Sequence, residues 1–147
     1  MWYNVTEGVA EWRWQFLGFE SVEEGRPVQV WFDGLPEDAK DEIRDLLGYL
    51  EKMTASKWRR PEFDPLQGDS GISELRASNI SSENDGEIKT AIRRIYGFFG
   101  PEERKRSYTF LHGAEKIVGN DKNGKRIARE RLKRLEHGEA TVHEFEF

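Results

Sequence analysis

At 147 residues the chain is long enough for one ordinary core and too short to call for a second domain. Its formal net charge of −5 argues against indiscriminate nucleic-acid binding, and the absence of cysteine excludes both a disulfide scaffold and a thiolate zinc site. The three histidines, His112, His137 and His143, lack a ligand-like spacing, so neither a metal nor a cofactor is expected. No apolar run approaches the roughly 20 residues that cross a bilayer and no basic-then-apolar leader opens the chain, so a soluble cytoplasmic protein without a membrane partner is the simplest expectation.

In chain order, Glu11 to Leu17 alternates Trp12, Trp14 and Phe16 against polar neighbours, the period-2 pattern of a strand with one buried face. Pro27 then opens a short helix carrying Val28, Trp31 and Phe32. Pro36 opens a second helix, with Glu37 and Asp38 well placed in its first turn and Ala39, Ile43, Leu46, Leu47 and Leu50 on one face. Thr54 to Ser70 holds two prolines and reads as a surface connection pinned by Trp58, Phe63 and Leu66.

Three alternating segments follow, Gly71–Ser78, Ala91–Gly100 and Ser107–Val118, joined by a long polar hairpin with Asn84, Asp85 and Gly86 at its tip and by the turn Gly100–Arg106. A basic helix capped by Asp121 or Asn123 ends at Gly138, with Ile127, Ala128, Leu132 and Leu135 as its apolar stripe and Arg126, Arg129, Lys133 and Arg134 off it. Residues 139–147 form either an edge strand or a loose tail. The expected architecture is a single α+β domain over 1–147: a mostly antiparallel sheet of about four strands, with two N-terminal helices and one C-terminal helix packed on one face and the other face partly open.

Charge is unevenly spread. Arg104 to Arg134 holds eleven Lys/Arg against three Asp/Glu, a net +8, which leaves −13 for the rest of the chain. If the three segments pair in order, Arg76, Arg94 and Lys116 share a surface with Tyr96, Tyr108 and His112, a set suited to a phosphodiester. Strand alternation puts Glu74, Arg76, Arg94, Tyr96, Tyr108, Phe110, His112 and Lys116 on one parity and Leu75, Ala77, Ile95 and Leu111 on the other. Each member also has a plainer role: Arg76 as the ion-pair partner of Glu74, the tyrosines as cross-strand packing, His112 as a strand-end residue, and the basic helix as a solvated face.

Five strings in order, EEGRPVQVWFDGLPEDAKDEI, DPLQGDSGISELR, IRRIYGFF, YTFLHGAEK and IARERLKRL, together resemble the RelE/HigB toxin family, in its phage-derived host-inhibition branch. The resemblance covers most of the chain. It implies the toxin of a toxin–antitoxin pair: a metal-independent endoribonuclease that cuts messenger RNA on the ribosome and is neutralised by a cognate antitoxin, itself a helix-turn-helix protein. Matched string by string, Arg76 is the arginine of the Glu-Leu-Arg strand, Arg94 that of the Arg-Ile strand, and Lys116 the first terminal lysine. The chain departs from the pattern at Ala114, Glu115 and Ile117 and in its net acidity.

Cleavage of RNA without metal needs the ribose 2′-OH deprotonated, the phosphorane charge stabilised and the leaving oxygen protonated. Arg76 and Arg94 suit the second task, His112 or Lys116 the proton transfers, Tyr96 or Tyr108 the stacking of a splayed base, and Arg126, Arg129 and Lys133 the RNA backbone. A different class stays open beside this one: a non-catalytic relative that poisons gyrase or only binds an antitoxin. A DNA-binding regulator finds no convincing helix-turn-helix pair. Codon preference, ribosome dependence and oligomeric state are not legible in the chain.

Overall fold

A computed structural model describes residues 14–54, 57–59, 62–66, 71–82, 88–101, 106–115 and 121–147, and of 78–82 and 88–91 the backbone alone. Nine elements follow in order: β1 (Gln15–Glu20), α1 (Pro27–Asp33), α2 (Glu37–Leu50), β2 (Phe63–Pro65), β3 (Ser73–Ser82), β4 (Ile88–Phe99), β5 (Ser107–Glu115), α3 (Lys122–Glu136) and β6 (Thr141–Glu144). The strands form one six-stranded sheet in the order β2-β3-β4-β5-β1-β6, antiparallel except where β1 runs parallel to β5. The molecule is therefore α+β, with six strands where about four were expected. The two additions are β2, which pairs with the start of β3 inside the supposed loop, and β6, which makes the tail an edge strand.

β1 overlaps the expected strand at residues 15–17 and runs on to Glu20. Its later half lies inside the sheet, between β5 and β6, and is buried on both faces, which erases the alternation that marks a half-exposed strand. Of the segment read as a strand from the sequence, residues 11–13 lie outside the described residues, as does the hairpin tip at 84–86.

Helices cover both faces of the sheet, not one. Val28 and Phe32 of α1 and Ile43, Leu46, Leu47 and Leu50 of α2 pack with Phe16, Leu75, Ile95, Tyr108 and Phe110. On the opposite face Ala128, Leu132 and Leu135 of α3 pack with Phe19, Tyr96 and Leu111. The face expected to be partly open thus holds a second core. Both cores use apolar stripes visible in the sequence, and burial of this kind contributes roughly 25 cal/mol per Å² of apolar surface.

Trp58 anchors the connection before β2. Its indole Nε1 donates to the Leu50 carbonyl at 3.0 Å, and its ring meets Trp14, Phe16, Phe63, Phe99 and Tyr108 at centroid distances from 5.0 to 6.3 Å. At the far edge, Gln29 of α1 holds the tail as a backbone strand would: its Nε2 donates to the Glu146 carbonyl at 2.8 Å while its Oε1 accepts from the Glu146 amide at 2.9 Å.

Candidate functional site

The sheet face under α3 carries a two-row charged array. Arg76 stands opposite Arg94, which stands opposite Ala114; in the neighbouring row Glu74, Tyr96 and His112 are likewise aligned across β3, β4 and β5. The sequence reading paired these strands in the right order and put Arg76, Arg94, Tyr96 and His112 on one face. Lys116 lies outside the described residues.

One break in the ladder separates the remaining members. Tyr96 is opposite His112 but Gly97 is opposite Phe110, so Leu111 is an extra residue on β5 and the parity of that strand reverses there. Tyr108 and Phe110 consequently point toward α1 and α2, away from His112. Gly97 makes the bulge possible: a Cβ at that position would come within 2.5 Å of both the Thr109 carbonyl oxygen and the Tyr108 ring. Gly113, in the Leu-His-Gly string, has a comparable reason, since a Cβ there would collide with the indole of Trp31.

Glu74 dominates the array. Its side chain is 2% exposed. Arg76 Nε donates to Glu74 Oε1 at 3.1 Å and Arg76 Nη2 reaches Asp64 Oδ2 at 3.1 Å, while Arg94 Nε lies 3.0 Å from the same Glu74 oxygen but out of hydrogen-bond alignment. The Glu74 hydrogen bond is the main cause that raises Arg76 above the ordinary arginine value. Two cations are thus matched by two carboxylates, and both arginines already hold counterions. The Glu-x-Arg spacing of Glu74 and Arg76 was the available signal, because two residues apart on a strand means the same face. Asp64 gave none, as β2 itself was not foreseen.

Tyr96 and Tyr108 are both fully buried, so neither presents a ring face to a base. The Tyr108 hydroxyl shares a 2.8 Å hydrogen bond with Ser73 Oγ, and burial raises its pKa. Tyr96 donates to Asp121 Oδ2 at 3.1 Å, and burial, foremost, pushes its hydroxyl up to about 12. The other Asp121 oxygen accepts from the Gly124 amide at 2.9 Å, so Asp121 caps α3 and receives the Tyr96 hydroxyl at once.

His112 lies parallel to Tyr96, with centroids 6.2 Å apart and planes 6° from parallel. Burial first, and the adjacent Arg131 second, push its pKa below the ordinary imidazole value. Arg131 Nη1 is 3.4 Å from His112 Nδ1 and donates to the Leu111 carbonyl at 2.7 Å. A donor facing Nδ1 favours the tautomer with its proton on Nε2.

Along α3, Arg126, Arg129 and Lys133 are exposed as expected, with Arg126 tied to Glu130 at 2.9 Å and to Asn123 at 2.8 Å. Arg131 and Arg134 instead turn onto the acidic turn after β1, where Glu24 and Glu23 meet them. Part of the charge asymmetry in the sequence is therefore satisfied within the molecule. Sequence reading did not single out Arg131, and no local pattern could have paired it with a residue 107 positions away.

Among the described residues no group of three His, Asp or Glu could hold a metal ion, and no helix is long and apolar enough to cross a membrane. Comparison with protein-family models, curated proteins and solved structures gave no match to this chain.

Proposed function

We propose that the chain is the toxin of a toxin–antitoxin pair, with a RelE-like domain that cleaves messenger RNA on the ribosome without metal and is held in check by an adjacent helix-turn-helix antitoxin. The observation that carries this proposal is the placement of Arg76 directly across from Arg94, with His112 in the next row of the same face. Arginine forks in that position bind the non-bridging oxygens of a phosphodiester and stabilise its phosphorane. His112 is held largely neutral, which suits a proton acceptor near pH 7, and Lys116 remains the other candidate for proton transfer. Glu74 must yield or share the arginines when phosphate arrives.

The test uses purified protein with translating ribosomes and maps new 5′ ends by primer extension. New ends that appear with wild type and disappear with Arg76→Ala and Arg94→Ala, each checked for folding by thermal melt, support the proposal. No new ends, together with wild type and Arg76→Ala equally harmless to growth, sink it.

A second function is favoured by Glu74 itself. Arginines neutralised by Glu74 and Asp64 beside the buried Tyr96 fit a non-catalytic relative, either a gyrase poison or a protein that only binds an antitoxin. Toxicity that survives Arg94→Ala and is accompanied by DNA damage selects gyrase.

A further inference from the structure

Arg131 and Arg134 lie one turn apart on α3 over the buried ring of Phe19, their guanidinium carbons 5.6 and 5.7 Å from its centroid. Their side chains are 12% and 26% exposed. Above them hangs the turn Val22–Glu24, closed by a bridge between Ser21 and Gly25 and tipped by Val22, which is 98% exposed. Glu24 divides its carboxylate between the arginines, Oε1 at 2.9 Å from Arg131 Nη2 and Oε2 at 3.1 Å from Arg134 Nη1, and Glu23 accepts from Arg134 Nη2. His112 lies on the inner side of Arg131.

Two features set this contact apart from an ordinary ion pair. The Nε of Arg131 is buried and has no hydrogen-bond partner among the described residues, because the Glu24 oxygen engages only Nη2. The Nε–Nη2 edge of a guanidinium forks around two oxygens of one carboxylate or phosphate, and Glu24, whose second oxygen goes to Arg134, leaves this edge half used. The acidic turn is also weakly held. Its exposed tip buries no apolar surface, and besides the ion pairs the Glu24 amide donates to Ser21 Oγ at 3.0 Å. Partly exposed ion pairs of this kind exchange at little cost.

We infer that Val22–Glu24 is an acidic strap over an anion site, and that a phosphate group of a single-stranded nucleic acid takes the place of the two glutamate carboxylates on Arg131 and Arg134 beside His112. The nucleic-acid substrate is taken from the function proposed above. The exchange itself breaks no covalent bond and can be read apart from cleavage.

Fluorescence anisotropy with a short, uncleavable 2′-O-methyl oligonucleotide at low salt tests the strap. The Glu23→Gln/Glu24→Gln variant binds about tenfold tighter than wild type, and Arg131→Gln/Arg134→Gln added to it abolishes the gain. A control that removes two exposed glutamates past the strap, Glu136→Gln/Glu139→Gln, separates a local exchange from a general change in charge. Equal tightening by the control overturns the inference, as does unchanged affinity in the strap variant. If the fourfold variant does not fold, Arg134→Gln in the strap background supplies the reversal, and tightening that persists there overturns the inference too. A protein that never cuts RNA still shows the exchange, whereas a nuclease whose strap is only structural does not.

Discussion

Glu74 is the residue on which the candidate site turns. A carboxylate this deeply buried is tolerated because Arg76 and Arg94 flank it, and removing it leaves Arg94, also largely buried, beside an empty counterion position. Breaking a buried pair from one side typically costs about 3–5 kcal/mol, so Glu74→Ala is expected to lower unfolding free energy by that order in urea titrations. A loss below about 1 kcal/mol would mean that the array is effectively solvated. His112 makes a different prediction. Its folded pKa is below the unfolded value of about 6.5, so as pH falls through that value the unfolded chain takes up the proton first and stability drops. Its contribution is fully present above about 6.5 and is lost on acidification. Stability measured between about pH 7 and 5 is therefore expected to fall less steeply in His112→Asn than in wild type, and parallel slopes would refute the shift.

At the scale of elements, the bulge of β5 and the cap of α3 set the geometry of the site. Gly97→Ala forces a methyl against the Thr109 carbonyl and the Tyr108 ring, an overpacked position expected to cost about 1–3 kcal/mol by thermal melting and to disturb the core under α1 and α2, where Tyr108 packs, more than the His112 side of the array. Backbone amide shifts between variant and wild type would show whether the disturbance is so localised. Asp121 joins α3 to the sheet through two hydrogen bonds. Asp121→Ala removes the cap, worth about 1 kcal/mol, and leaves the buried Tyr96 hydroxyl without its acceptor, worth about 1–3 kcal/mol more. Tyr96→Phe should recover much of the second loss in the double variant, which a urea titration of all four proteins measures.

For the whole molecule, stability rests on two apolar cores on opposite sides of one sheet, with the larger gathered around Trp58 and the aromatic rings that surround it. Trp58→Ala deletes the residue that fixes the connection before β2 and is expected to cost about 3–5 kcal/mol, read as a lower urea midpoint. The slope of that transition should be unchanged if the cores still unfold together. Pairing of the acidic turn with α3 ties the two ends of the chain across the second core, so the −13 and +8 regions meet within one molecule as well as facing outward.

How much of this was legible depended on whether the signal was local. The α2 stripe, the Pro27 start of α1, the alternation of β3 and β4 and a cap at Asp121 or Asn123 all follow from spacing within a few residues, so the sequence by itself determined an α+β chain and placed Arg76 and Arg94 on one face. Three things were decided only by tertiary structure. Burial on both sides hid the true extent of β1. One extra residue at Leu111 separated Tyr108 from His112, a reversal that parity counting along a single strand cannot reveal. The counterions beyond the Glu74–Arg76 pair, Asp64 for Arg76, Glu74 for Arg94 and Glu23 and Glu24 for the arginines of α3, come from strands and turns brought together by folding. A side chain's charge is written in the sequence, whereas the partner that neutralises it depends on distance in space.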